Sequence, residues 1–479
     1  MIHHVRRTRI SHWVDPAAVF VTVAGTEPWS VWLDAGPTSA SGRSYIGVPR
    51  SHVLSDNVES GRVTHASLVN GFTVDSHEQS ATIFEVLRDD LATRVVEDIE
   101  SPGFHLGWVG WFGYELAAHT TGVSTVASRT PDARLVFLDR VIEFDHEAHT
   151  VTLVELSEDS DSWHAELESV LAPLMALAKT AAGVSAAQPV PSIPHNRVTW
   201  RHSPSEYEAL VSSCLAAITR GDAYQLCLTN EVRISAVDGE PPLDPVHVFL
   251  RLREENPSHH GALLRFGDVS LLSSTPEVFL RVGADGGVQT KPIKGTRRRG
   301  DSSTEDHFLA RELVESEKER AENLMIVDLM RNDLGRVAQL GTVNVEKLLA
   351  VETYENVHQL VSTVSAQLLA GMTATDALEV CFPAGSMTGA PKISAMKILA
   401  ELEQGPRGVY SGAFGYFGID GAAELAMVIR SIVLDASGAS IGTGGGITSG
   451  SIPRDELEET WVKVTPLLRA LGVSTLDYS

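Results

Sequence analysis

The sequence predicts an α+β protein, on three observations. Strand-like runs at 409–417, 423–434 and 440–447 are separated only by Ile-Asp-Gly and Asp-Ala-Ser-Gly turns. Turns that short join antiparallel strands, because a parallel crossover needs a dozen or more residues. Helix signatures at 203–221, 304–334 and 391–402 stand beside these runs and do not alternate with them, which is the α+β arrangement. The chain has 479 residues, 43% hydrophobic and 21% charged, the balance of an ordinary globular protein able to bury large cores.

Taken in order, residues 1–45 read as short strands, with Ala18–Val23 and Val31–Asp34 as the β-rich runs. A polar loop at 37–43 leads to Ser44–Gly47. The run LGWVGWFGYEL at 106–116 mixes four aromatics with three glycines. It demands close backbone approach, for core packing or for a flat ligand. Residues 134–155 read as two antiparallel strands joined through Asp145-His146-Glu147, and 162–182 as an amphipathic helix. The Ala-, Pro- and Ser-rich passage 179–200 resembles a linker. The expected division is therefore an N-terminal region, 1–190, mostly β, and a catalytic region, 200–479.

The second region opens with Ser203 as a cap, Pro204 at the first helical position and Glu206 completing a capping box. Tyr207, Val211, Cys214 and Ile218 then make an apolar stripe, and Gly221 stops the helix. The strand Ala223–Val232 places Gln225, Cys227 and Thr229 on one face. Further strands are expected at 261–266, 269–275 and 277–282. One long helix is expected over 304–334, capped by Ser302, Ser303 or Thr304 and ended by Gly335.

Lys+Arg 38 against Asp+Glu 62 gives a net charge of −24, which argues against nucleic acid and anionic membranes as partners. The three cysteines, Cys214, Cys227 and Cys381, show no CxxC spacing and suit a reducing compartment. No apolar stretch follows the basic N-terminal residues, and no run is long enough to span a bilayer. A cytoplasmic location is expected.

Several constellations could carry chemistry. In Pro292-Ile293-Lys294-Gly295-Thr296 a rigid proline and a permissive glycine bracket a lysine. A lysine is a nucleophile only when uncharged, which requires burial or a nearby cation; Lys291 and Arg297–Arg299 are the neighbours in sequence. Alone, the segment also suits a basic surface turn. Glu319 and Glu322, three apart, share a helix face, as do Glu456, Glu459 and Lys463. Two such helices facing each other would offer hard oxygen ligands to Mg²⁺, whereas each alone suits a solvated charged face. Gly385–Lys392 is a glycine-rich turn feeding a helix, and Gly442–Ile447 a strand end without side chains. Either could present backbone to an anion. Glu277, His358, Tyr410 and Arg430 are single candidates, a lone histidine being more often a satisfied core residue.

In their order, PIKGTRRRG, ERAENLMIVDLMRNDLGRV, ENVHQLVS, FPAGSMTGAPK, GVYSGAFGYF, GTGGGI and ELEETWVK closely resemble the chorismate-utilising enzymes. The match is dense from about Ser203 to Leu471 and thinner through LDAGPTSASGRSYIG and GWVGWFGYEL. The resemblance implies two large antiparallel sheets packed face to face, with helices outside. It implies that Glu319, Glu322, Glu456 and Glu459 surround Mg²⁺. It places Lys463, Arg430, Tyr410, His358, Thr296 and the backbone of Gly444, Gly445 and Gly446 along the substrate. Lysine at 294, where other branches typically carry alanine, and Gln225, where the water-using branches carry a general-base lysine, point to the branch that aminates chorismate at C4. Lys294 would be the nucleophile, Glu277 the general acid, and Gln225 a substrate contact. No cysteine lies in a Gly-x-Cys-x-Gly setting, so ammonia is expected free or from a separate glutaminase subunit. The N-terminal region could hold a tryptophan pocket, as in relatives. The alternatives are the anthranilate-forming branch and a non-catalytic homologue that binds chorismate or tryptophan.

Overall fold

A computed structural model describes residues 2–10, 12–96, 103–156, 163, 167, 193–237, 239–354 and 357–473. Two twelve-stranded sheets carry the architecture. In the first, strands drawn from residues 278–427 form one end and the strands between His52 and Leu138 form the other. They meet where Ala413–Gly418 pairs antiparallel with Gly107–Phe112. In the second, strands drawn from 198–275 and 389–447 meet those between Val5 and Leu156 where His260–Phe266 pairs antiparallel with Trp29–Asp34. The passage 179–200 thus separates two regions of sequence, while both regions contribute to both sheets.

The sheets pack face to face through one apolar cluster that mixes residues of both, among them Trp111 and Phe137 of the first with Val31, Leu264 and Leu271 of the second. Trp111 stacks on Phe266 across the interface with ring centroids 5.0 Å apart. The outer face of the second sheet is covered by helices Pro16–Val23, Pro245–Glu255 and Pro453–Ala470, which bury Phe20, Phe249 and Val464 against Trp32 and Leu272. The α+β class and the two-sheet architecture with outer helices therefore hold. No helix among the described residues is long and apolar enough to cross a membrane.

The aromatic and glycine run at 106–116 is core. A Cβ on Gly110 would lie 2.0 Å from the Arg134 carbonyl oxygen, and one on Gly107 2.2 Å from that of Phe417. Three local expectations are corrected. Ala18–Val23 belongs to a helix, Pro16–Val23, because Asp15 caps the Ala18 N–H and Pro16 opens the first turn. The helix expected over 304–334 is two, Ser303–Glu315 and Glu317–Gly335. Ser316 breaks it by taking extended backbone angles and capping Glu319. The run 423–434 is also two strands, Ala423–Met427 in the first sheet and Ser431–Asp435 in the second. Apart from Trp163 and Leu167, the helix expected over 162–182 lies outside the described residues, as does most of the 179–200 passage.

Candidate active site

The chain crosses between the sheets at two adjacent points, and each carries a candidate residue. It leaves Val269–Thr275 in the second sheet for Val278–Val282 in the first at Pro276-Glu277. It returns between Met427 and Ser431 at Arg430. The crossings are bonded to each other: the Met427 N–H donates to the Glu277 carbonyl at 3.0 Å, and the Ser274 N–H to the Arg430 carbonyl at 3.1 Å. Arg430 takes φ +49°, a left-handed value that a non-glycine residue seldom adopts. Its guanidinium faces Glu277, and burial lowers its pKa. Burial pushes the Glu277 carboxyl up to about 7, against the opposing influence of Lys294, a hydrogen bond from Ser386, and Arg430. At neutral pH it can hold a proton to give away.

Lys294 lies in a bulge. Ile293 pairs with Val361 and Thr296 with Gln359, so Lys294 and Gly295 together oppose the single residue between. Gly295 has φ +83°, and a Cβ there would lie 2.9 Å from the Glu319 carboxylate. The Pro-Ile-Lys-Gly-Thr sequence thus brings a backbone bend against the carboxylate helix. The basic neighbours do not serve Lys294. Arg297 pairs with Glu312 at 2.5 Å and Glu319 at 3.4 Å, Arg299 with Asp306 at 2.8 Å, and Lys291 with Glu352 at 3.8 Å. Burial works against the Lys294 ammonium, but Glu322, Cys227, Glu277 and Glu459 outweigh it and hold its pKa above the ordinary lysine value. The expectation of a lysine neutralised by burial or a neighbouring cation is therefore not met here, because its surroundings are acidic.

The two carboxylate helices face each other as their spacing suggests. Glu319 and Glu322 lie on Glu317–Gly335, and Glu456 and Glu459 on Pro453–Ala470. Lys318 Nζ bridges them by donating to Glu456 Oε1 at 3.3 Å, and Ser451 donates to the same oxygen at 2.7 Å. Lys463 pairs with Glu459 at 2.6 Å and donates to the Gly444 carbonyl at 2.7 Å. Burial raises Glu322 to about 6, with Lys294 and Lys318 opposing. Four carboxylates on two facing helices are the hard donors Mg²⁺ takes, so the set fits that ion in kind. Among the described residues no three acidic, His or Cys side chains yet surround one point. Each carboxylate instead lies beside a cation of the chain.

The glycine strand Gly438–Ile447 forms the floor, each bare backbone position accepting a neighbour. A Cβ on Gly445 would sit 3.0 Å from the Glu456 carboxylate, and one on Gly446 2.4 Å from the Gln225 amide nitrogen. Gln225 is fully buried, and neither amide atom has a hydrogen-bond partner within the chain, so both remain available to a ligand. Tyr410 is buried with its ring on Gly442, where a Cβ would meet it at 2.0 Å. Thr296 stands next to the bulge, opposite Gln359. His358 is brought less directly into play. Its Nδ1 bonds the Thr353 hydroxyl and its Nε2 the Asp306 carboxylate, both at 2.9 Å, so this histidine is satisfied within the chain.

Some residues that shape the site have no sequence signature. Arg407 and Glu403 form a buried pair at 2.7 Å. Arg407 also donates to the carbonyls of Cys227 at 2.9 Å and Met387 at 2.6 Å. It thereby ties the strand bearing Gln225 to the loop bearing Ser386. Glu403 and Arg407 lie four apart, but the helix stops at Glu403 with Gln404 in a left-handed conformation, so helical spacing does not reveal the pairing. Ser386 lies in the Gly385–Lys392 turn, whose backbone alone drew attention in sequence. Its hydroxyl reaches Glu277 only in the fold.

Residues 52–469 match the chorismate binding enzyme family. The chain is 42% identical over 469 residues to aminodeoxychorismate synthase of Streptomyces griseus, covering 96% of this chain and 63% of that protein. It is 39% identical over 465 residues to the enzyme of the same name from Streptomyces pristinaespiralis, covering 95% and 64%. The chain thus spans less than two thirds of the length of these relatives. Anthranilate synthase component I from Streptococcus pneumoniae TIGR4 superposes with a TM-score of 0.71 at 26% identity, over 96% of this chain and 100% of that one.

Proposed function

This chain belongs to the chorismate-binding enzymes, and from that premise we propose that it converts chorismate and ammonia to 4-amino-4-deoxychorismate. The observation that carries the reading is Lys294 in its bulge beside a Glu277 that holds a proton near neutral pH. The names of the two Streptomyces relatives support it. In its neutral form Lys294 Nζ adds to C2 of chorismate. The ring double bonds shift, the C4–O bond breaks, and the hydroxyl leaves as water with the proton of Glu277. Ammonia then bonds to C4, the double bonds shift back, and the C2–N bond breaks to release Lys294.

Glu319, Glu322, Glu456 and Glu459 would hold Mg²⁺. Bound there, the ion supplies charge that orients a substrate carboxylate and offsets the acidic surroundings that keep Lys294 protonated. Arg430, Lys463, Tyr410, Thr296, Gln225 and the Gly444–Gly446 backbone line the substrate, and His358 joins them if it exchanges one of its internal bonds. All three cysteines are buried and none has the setting of a glutaminase nucleophile, so the ammonia comes free or from a glutaminase outside these 479 residues, a separate subunit being the arrangement we favour.

The test is turnover of chorismate with Mg²⁺ and an ammonium salt, followed by chromatography with and without an added aminodeoxychorismate lyase. Formation of 4-aminobenzoate only with the lyase is expected, and Lys294→Ala should reduce it to background. Direct release of anthranilate, or an alanine variant as fast as the parent, would sink the covalent amination.

A further inference from the structure

Lys318 occupies a position that a helix disfavours for a cation. It is the second residue of Glu317–Gly335, which begins afresh where Ser316 breaks the chain and caps the Glu319 N–H. The free N–H groups of a first turn carry partial positive charge and favour acids, such as Glu317 and Glu319 on either side of it. What Lys318 gains lies on the other carboxylate helix. Its Nζ donates to Glu456 Oε1 at 3.3 Å, so the lysine spans the gap between the two helices. Glu456 is 2% exposed, and the Ser451 hydroxyl donates to the same oxygen at 2.7 Å. The other oxygen, Oε2, faces the substrate floor. A Cβ on Gly445 would lie 3.0 Å from it and 3.8 Å from Glu459 Oε1, so only glycine leaves the space beneath these two oxygens open.

Three ammonium groups attend the four carboxylates, and they are not held alike. Lys294 is carried by the bulge, among Glu322, Glu277 and Glu459. Lys463 is fastened twice, to Glu459 at 2.6 Å and to the Gly444 carbonyl at 2.7 Å, and so belongs to the floor. Lys318 is exposed where the other two are half-buried, and among the described residues Glu456 is its hydrogen-bond partner, at a long 3.3 Å. Glu322 and Glu459 lie within its electrostatic reach. It can therefore leave for solvent without disturbing the floor. We propose that Lys318 is a displaceable counter-cation, whose ammonium competes with Mg²⁺ for Glu456 and swings outward when the ion takes that carboxylate. The inference rests on the reading that the four glutamates hold Mg²⁺. A buried carboxylate without a counter-charge is costly, and an exchangeable lysine offsets that cost while keeping the site open to the ion. The exchange of one cation for another lowers the affinity for the ion.

The test is the Kd for MgCl₂ of chelator-treated protein, measured by titration calorimetry without chorismate. Lys318→Met should bind the ion about tenfold tighter than the parent, and Lys318→Arg, which keeps the charge, within about threefold of it. Without metal the methionine variant should melt below the parent, because Glu456 has lost its counter-charge, and a fixed MgCl₂ concentration should raise its melting temperature by more. A methionine variant with the parent's affinity or a weaker one would overturn the competition. So would an arginine variant as tight as the methionine variant, since charge would then not be what competes. Glu456→Gln tests the underlying reading and should lose most of the binding. If it binds Mg²⁺ as the parent does, or if none of these proteins binds the ion, the metal site itself falls, and the role of Lys318 with it.

Discussion

At the scale of single residues, the site sets two ionisable groups against each other. Glu277 is pushed up to about 7 by burial, while Lys294 is held above its ordinary value by the carboxylates around it. If Glu277 protonates the leaving hydroxyl, its acid form is required, and the protonated fraction falls tenfold per pH unit above about 7. The pH profile of kcat should therefore decline on the alkaline side from that value. Glu277→Gln should lower kcat by about 10²–10⁴ and abolish that limb. An alkaline limb that survives in the glutamine variant would assign it to another group. Lys294, Glu277, the four glutamates and Lys463 were candidates in the sequence, and the fold brings them into one neighbourhood. The protonation state of Lys294 was not legible there, because Arg297 and Arg299 turn to Glu312 and Asp306, and no sequence shows where an arginine points.

At the scale of elements, the informative departures are breaks. Ser316 divides one expected helix into two and places Glu319 in the first turn of the second. The expected strand at 423–434 divides where the chain changes sheet, and that division puts Arg430 beside Glu277. Hydrophobic periodicity continues across both breaks, so periodicity alone could not place them. The seam between Gly107–Phe112 and its two neighbours is set by size. Gly110 pairs with Gly415 on one side and Leu135 on the other, and a methyl group there meets backbone oxygen at 2.0 Å. Gly110→Ala should destabilise the protein by about 1–3 kcal/mol, seen as a lower denaturation midpoint. An unchanged midpoint would show that the seam yields without cost.

At the scale of the whole molecule, the join between the two regions buries charge. Glu115 is 2% exposed beside that seam, accepts the Arg407 N–H at 2.8 Å, and is raised to about 8 by burial, with Asp132 adding to the shift. Asp56 nearby is raised to about 7 for the same first reason. A carboxyl that keeps its proton in the folded state but loses it in the unfolded state contributes stability that is fully present below its unfolded pKa. That stability is lost as pH rises through the folded value. The melting temperature should accordingly fall between about pH 5 and pH 8, and Glu115→Gln, which keeps the acceptor oxygen, should flatten that fall. A variant with the parent's slope would place the dependence elsewhere.

The α+β class, the candidate side chains and the carboxylate pair on each helix were readable in the sequence itself, since capping, turn chemistry and helical spacing are local properties and the motifs carry the resemblance. Only the tertiary structure decided that both regions share both sheets, that Glu277 and Arg430 stand at neighbouring crossings, and that Gln225 is buried without a partner. It also decided that Arg407 braces the floor from behind. The reason is physical. Strand pairing and buried ion pairs join residues up to some three hundred positions apart, as when Gly107–Phe112 meets Ala413–Gly418, and no local pattern encodes the partner.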